Sequence, residues 1–235
     1  PYIKEKMDLD IQVQKLRLLK SSYLSEIYAL EDKIIKYFPQ QIAVKKELIS
    51  ALESDLATAQ EHLKPTDDRF VGIEVKGAFY LEKAEGGQKI IDACQQMNSP
   101  DPITLGTYRG FGLELSFDTM ERAYKVKIRG AASRAISLGT DSVGNITRID
   151  NAVEKISEHL ETVKAELEGL EKQFEVAKEE VKKSFSKEQE LKEKTDRLNV
   201  LNGLLNVDKR ENELADDAPD EGEELPDRNP KELER

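Results

Sequence analysis

Apolar residues recur at alternating spacings of three and four from Ile146 to Val181, and this seam constrains the fold more than any other feature. Such spacing over five heptads predicts the a/d seam of a coiled-coil helix, roughly 54 Å long at 1.5 Å per residue. The stripe is too narrow for an isolated helix, so it needs a partner helix. The seam consists of Ile146, Ile149, Val153, Ile156, Leu160, Val163, Leu167, Leu170, Phe174, Ala177 and Val181.

Two further heptad segments precede it, over residues 9–37 and 42–63. Pro39 lies between them and is expected to stop or kink the first helix, after which a second helix begins directly at residues 39–40. Pro65 closes the second helix. Lys20 occupies a seam position, where it either fixes the register or marks a stretch that faces water.

Between Arg69 and Gly144 the apolar period falls towards two and glycine becomes common, which is typical of short strands. The pattern predicts an antiparallel meander with one apolar face, covered by a helix over Lys83–Met97. Asn145 is the predicted N-cap of the long helix. The predicted strands are Phe70–Val75, Ala78–Leu81, Ile103–Tyr108, Phe111–Phe117, Arg122–Arg129 and Ser133–Leu138.

These segments predict an α+β fold, in which long antiparallel coiled-coil helices carry a small α/β module inserted at the tip. Residues 3–64 form a helical arm of two helices, 69–144 the α/β module, and 145–206 the long helix with a shorter closing helix. Residues 207–235 hold −7 of the net charge of −11 and are expected to be disordered. An intermolecular parallel coiled coil is the competing arrangement.

The chain is 38% apolar, 35% charged and 6% aromatic. This composition suits long charged helices around a thin apolar seam better than a thick globular core. Cys94 is the single cysteine, which excludes an internal disulfide and fits a reducing cytoplasm. No apolar run approaches the ~18 residues that a membrane span requires. Because the chain starts at Pro1 and enters helical periodicity at once, we expect it to be a fragment of a longer protein.

The residues that usually carry chemistry form no recognisable constellation. His62 and His159 lie on charged helical faces and are expected at the surface, and Cys94 is expected to be a small buried apolar residue. No glycine-rich phosphate loop is found. The sequence therefore predicts no catalytic, cofactor-binding or metal-ligating residue.

One basic cluster is the candidate site, for contact with nucleic acid. Lys125, Lys127 and Arg129 share one face of a predicted strand, where they could follow a phosphate backbone. The competing interpretation is an ordinary solvated sheet face, because the aromatic residues of the same strands point to the opposite side. Three further cations are expected nearby: Arg109, Arg122 and Arg134.

Several runs resemble a known family: Met7–Leu16, Tyr28–Asp32, Lys36–Pro39, Leu105–Phe111 and Leu138–Ile149. Together they resemble the C-terminal region of very large proteins of bacterial conjugative and phage-like elements. Those proteins join an adenine-specific DNA methylase to a Swi/Snf-type superfamily II helicase. The resemblance implies a parent that translocates on or modifies DNA. The family's helicase and methylase motifs lie upstream of the matching region, so ATP or S-adenosylmethionine would belong to other domains and no catalytic residue is carried over.

We therefore expect a non-catalytic C-terminal accessory module that contributes contacts to DNA or to a protein partner. The alternative is a purely structural coiled-coil arm for oligomerisation, without DNA affinity. An independent enzyme is disfavoured, and no membrane partner is expected.

Overall fold

A computed structural model describes residues 2–63 and 70–216, with side chains up to Asn206. The fold is mixed helix and sheet, and the chain divides into two compact units. The terminal unit combines Pro1–Ala29 with Lys182–Arg235, and the central unit is Leu30–Val181.

The terminal unit pairs helix α1 (Tyr2–Asp32) with helix α6 (Glu188–Asp216). Lys20 lies 2.7 Å from Glu188, while Arg197 lies 2.8 Å from Glu5, so the two helices run antiparallel. Apolar side chains close the contact: Leu9, Val13, Leu16, Leu191 and Leu198. Helix α6 extends ten residues into the acidic segment 207–235, since Glu, Leu and Ala there favour helix. Residues 217–235 lie outside the described residues.

The central unit begins with a π-helical turn, Lys33–Tyr37, followed directly by helix α2 (Phe38–Glu61). The chain stays helical through Pro39, so the first helix is not stopped there, but a new α-helix does begin within two residues of the predicted start and has proline in its first turn. Proline lacks an N–H and its ring crowds the carbonyl four residues earlier. The wider turn, closed by the Phe38 N–H on the Lys33 carbonyl, accommodates the ring without ending the helix.

The six strands of the described residues form one antiparallel sheet with the spatial order β2-β1-β3-β4-β5-β6. Lys76 and Gly77 both have left-handed backbones (φ 51° and 80°), as the predicted tight turn between β1 and β2 requires. The strands are β1 (Ile73–Val75), β2 (Ala78–Tyr80), β3 (Ile103–Tyr108), β4 (Phe111–Asp118), β5 (Ala123–Arg129) and β6 (Arg134–Ser137).

Two helices, not one, lie against the apolar face of this sheet: α3 (Lys83–Gln95) and α4 (Ser142–Glu154). They approach closely, because a Cβ on Gly87 would come within 2.0 Å of the Ser142 carbonyl oxygen. Ile90 of α3 and Ile146 of α4 are fully buried in the shared core. The opposite face of the sheet, called here the outer face, carries the polar residues of the strands.

The long seam is divided between two helices, since α4 ends at Glu154 and α5 spans Ile156–Glu180. Its first six apolar residues, Ile146 to Val163, belong to the core that includes the sheet. The predicted N-cap is also wrong. Asp141 caps α4 by accepting the Gly144 N–H at 2.7 Å, whereas the Asn145 amide holds the N–H and carbonyl of Gly139.

Helices α2 and α5 are antiparallel neighbours. The ring centroids of Phe38 and Phe174 are 5.3 Å apart. Two ion pairs then follow in reverse order along α5, at 2.5 Å and 3.3 Å: Lys45–Glu166 and Glu53–Lys164.

Two glycine substitutions test this packing. Gly87→Ala should destabilise the fold by about 1–3 kcal/mol, because the new methyl group meets the Ser142 backbone. Gly169→Ala is the matched control on α5. Nothing lies within 4 Å of its Cβ, so it should stabilise by about 0.5–1 kcal/mol. Urea unfolding measures both, and equal effects at the two positions would contradict the close approach of α3 and α4.

Candidate functional site

The six predicted basic residues do not form one surface. Arg109 is buried in the central unit and Arg134 and Lys125 are half-buried, whereas Arg122, Lys127 and Arg129 are exposed.

Arg109 occupies the turn between β3 and β4, where it has a left-handed backbone (φ 48°). Its side chain is 3% exposed and forms ion pairs with Glu154 and, at 3.7 Å, with Asp150. Its Nε also donates to the His62 carbonyl at the end of α2, at 3.0 Å. Arg109 therefore joins α2 and α4 to the sheet, and its assignment to a nucleic-acid contact is corrected.

Tyr108 extends this buried network, since its hydroxyl donates to Asp150 at 2.6 Å. Burial raises the pKa of Tyr108 well above its usual value, and the hydrogen bond to Asp150 adds to the effect. The hydroxyl is therefore a neutral hydrogen-bond donor whose role here is structural.

Arg134 belongs to a second buried network, around Asp55 of α2. It lies 3.2 Å from the Asp55 carboxylate and donates to the Ala152 carbonyl at 2.9 Å. Burial lowers the pKa of Arg134, and the neighbouring Asp55 opposes that shift. The backbone N–H groups of Ala131 and Ala132 complete the carboxylate's contacts, at 2.6 and 3.1 Å. Arg134 is therefore engaged by α2 and α4, whereas the sequence placed it among the possible nucleic-acid contacts.

Sequence reasoning missed Asp55, although it carries a signal. It shares a helical face with Leu52 and Ala59, which are buried, so an acidic residue stands in a row of core positions. A charge in such a place is costly to bury unless it is paired and hydrogen-bonded, and so it points to a specific internal partner.

The outer face does carry the predicted row of Lys125, Lys127 and Arg129, because Val126 and Ile128 between them are buried in the core. Acidic neighbours hold two of the three. Lys125 lies 2.8 Å from Asp118 and 2.7 Å from Glu121, and Arg129 lies 2.7 Å from Glu114.

Hydrogen bonds explain the shifted pKa values of Asp118 and Lys125. The Glu121 N–H and the Lys125 ammonium hold the pKa of Asp118 at about 2, and the side-chain bond to Asp118 raises the pKa of Lys125. Within the described part of the chain, Lys127 and Arg122 pair with no acidic side chain. The two exposed residues without such partners are thus the freest members of the predicted set.

Charge on the outer face is balanced. Glu74, Glu114 and Asp118 lie on the same side of the sheet as the three cations of β5. Affinity for a phosphate backbone rests on unneutralised cations that displace counterions. The three acids and three cations of the outer face balance, so the face lacks the surplus of positive charge on which phosphate binding rests.

The remaining candidate groups have simple surroundings. His62 and His159 are exposed, as predicted, and Cys94 is buried, where burial raises the pKa of its thiol to about 11. Among the described residues, no three His, Cys, Asp or Glu side chains come together as metal ligands. Nor does any helix in residues 2–63 or 70–216 combine the length and apolarity of a membrane span.

Comparison of the chain with protein-family models, with curated proteins and with solved structures found no match.

The Asp55 network generates a stability prediction. Asp55→Ala leaves the Arg134 guanidinium and two backbone N–H groups without their partner, so it should destabilise by about 3–5 kcal/mol. Glu53→Ala, on the same helix, breaks an exposed pair with Lys164 and should cost at most about 1 kcal/mol. Chemical unfolding of both variants measures the difference. If Asp55→Ala were as mild as its control, the network would not hold α2 to the sheet.

Proposed function

We propose that this chain is a non-catalytic accessory module that holds the outer sheet face in a fixed position on the α2–α5 pair and offers it to a protein partner. The observation that carries the proposal is the double attachment of α2 to the turns of the sheet, through Asp55 and through the His62 carbonyl.

The two attachments make the connection stiff. They lie seven residues apart on α2, or roughly 10 Å at 1.5 Å per residue, and each ends on a different turn of the sheet. Bending at Asp55 would separate its carboxylate from Arg134 and leave a buried charge without compensation. Bending at His62 would break the hydrogen bond that its carbonyl accepts from the buried Arg109. A module built to place a surface needs such a joint.

The partner surface is proposed to be a protein because the outer face has equal numbers of acids and bases. Lys127 and Arg129 alternate with Glu114 and small residues such as Gly112 and Ser116. Mixed charges of this kind favour orientation and selectivity in a protein contact.

DNA contact is the second candidate function. Lys127 is the observation in its favour, since it is exposed, central on the face and free of an acidic partner among the described residues. The resemblance to helicase and methylase fusion proteins supports the same direction.

The finer architecture and the setting are part of the proposal. Heptad spacing and the reversed ion pairs support an antiparallel coiled coil of α2 and α5 with the sheet at its tip. The resemblance supports a cytoplasmic bacterial parent with helicase and methylase domains, in which this region is not the enzyme and holds no cofactor. Helicase motifs in the reading frame upstream of Pro1 would support that parent, and a frame without them would remove it.

Rigidity of the joint is directly measurable. Spin labels at Lys127 on β5 and Lys172 on α5, in a Cys94→Ala background, should give a narrow distance distribution by pulsed electron resonance. Asp55→Ala should broaden it, because one attachment is lost, whereas Glu53→Ala should not. Circular dichroism checks that each variant is folded. A distribution that stays narrow in Asp55→Ala would contradict the proposed joint.

DNA contact is tested by fluorescence anisotropy with single- and double-stranded oligonucleotides at several salt concentrations. Because the face is neutral overall, we expect no saturable binding at physiological salt and no change in Lys127→Glu. Binding that falls steeply with salt, and is lost in Lys127→Glu but not in the α5 control Lys164→Glu, would make DNA the partner instead.

Self-association is the structural alternative, and α1 offers a surface for it. Ile3, Met7, Ile11 and Leu18 are 56–72% exposed on the side of α1 away from Val13 and Leu16. In a parallel pairing of two copies, Asp10 of one helix would face Lys15 of the other. The occupant proposed for this stripe is a second copy of the chain.

Light scattering measures whether the chain is a monomer or a dimer in solution. If α1 pairs two copies, Ile11→Glu should convert a dimer to a monomer, because it places a charge in the seam. Val200→Glu, at a 53% exposed position on α6, should leave the dimer intact. A monomer at high micromolar concentration in the unmodified chain would remove the alternative.

A further inference from the structure

A cavity of about 430 Å³ lies between α3 and the end of the sheet formed by β5 and β6. Ile91 and Cys94 line it from α3, Tyr124 from β5, and Leu138 from the segment after β6. Its volume falls within the roughly 300–1,000 Å³ of small-molecule sites. It is separate from the outer face, since Val126 and Ile128 of the same strand point into the core.

The walls of the cavity are mainly apolar. Ile91, Tyr124 and Leu138 are only half-buried, so they present apolar surface to the opening beyond what the core covers. Cys94 adds a neutral surface, because burial raises the pKa of its thiol to about 11. An apolar group entering the cavity would remove this surface from water.

The rim carries positive charge. Arg122 lines the cavity, is exposed, and has no acidic partner among the described residues. Its left-handed backbone (φ 52°) is an uncommon conformation for a side chain of this size. Arg148 does not line the cavity, and its guanidinium donates to the Asn145 side chain at 3.0 Å. The nearby carboxylate of Asp141 is used in capping α4.

We propose that this cavity binds a small amphiphilic carboxylate, with its apolar body between Ile91 and Leu138 and its carboxylate on Arg122. A guanidinium recognises a carboxylate through two parallel hydrogen bonds, and the half-buried walls accept an aliphatic or aromatic body. This site is independent of the partner-binding role of the outer face.

Calorimetric titration of the full chain with decanoate, below its micelle concentration, tests the site. 1-Decanol serves as the uncharged analogue of the same length. Decanoate should bind at least about tenfold more tightly than 1-decanol, since only the carboxylate engages Arg122. Methyl NMR should place the largest shifts at Ile91 and Leu138. Equal affinities for the two compounds, or shifts confined to Leu191 and Leu201 of the terminal unit, would overturn the proposal.

A pair of variants isolates the guanidinium. Arg122→Gly removes the charge at a left-handed position that glycine adopts without cost, so the fold should be kept while decanoate affinity falls about tenfold. Lys76→Gly is the matched control, because Lys76 is an exposed cation with nearly the same backbone (φ 51°) that does not line the cavity and donates to the Gln96 side chain at 2.9 Å. Arg122→Lys should retain part of the affinity. Equal losses in Arg122→Gly and Lys76→Gly would show a general charge effect and overturn the assignment.

Discussion

The central unit depends on the contacts of one buried carboxylate, that of Asp55 in helix α2. Asp55 is 2% exposed, and its oxygens accept two backbone N–H groups from the turn after β5 as well as the Arg134 guanidinium. Because a charge in that position is tolerated only when its partners are in place, the helix and the turn must form together. Arg109 repeats this device at the neighbouring turn. Burying these charges is unfavourable by itself, and the need for specific partners fixes one placement of α2 against the sheet.

Similar pairing explains why the basic residues of the strands do not form a positively charged surface. The strands supply cations in the alternating positions that suggest a phosphate-binding face, yet acids in adjacent strands and helices take up most of them. Glu114 and Arg129, which form an ion pair across β4 and β5, are separated by 15 positions in sequence, so their pairing is not visible from either strand alone. The charge balance of the outer face therefore depends on the register in which neighbouring strands pair.

Local signals were sufficient for the sheet. Alternation located β3 to β6, and the Lys76-Gly77 pair located the first hairpin, because both depend on backbone preferences of neighbouring residues. Contacts between elements distant in sequence determined the cap of α4 and the partner of the long seam, which local patterns could not predict. Asp141 and Asn145 are both good caps, and only the position of Gly139 assigns Asn145 elsewhere. Likewise, heptad spacing showed that Ile146 to Val163 would be buried but not that a sheet would bury part of it. The cavity between α3 and the end of the sheet formed by β5 and β6 had no sequence signal, since its lining residues are spread from Ile91 to Thr140.

The brevity of the two outermost strands has a consequence for the behaviour of the protein in concentrated solution. β2 has three residues and β6 has four, so each border of the sheet exposes few unsatisfied backbone groups. Long, flat borders are templates on which a foreign strand can add, and this is how many sheets begin to aggregate. A sheet with one uncovered face is especially open to such aggregation. Short borders let the chain keep that face uncovered while giving a growing fibril few backbone groups to pair with.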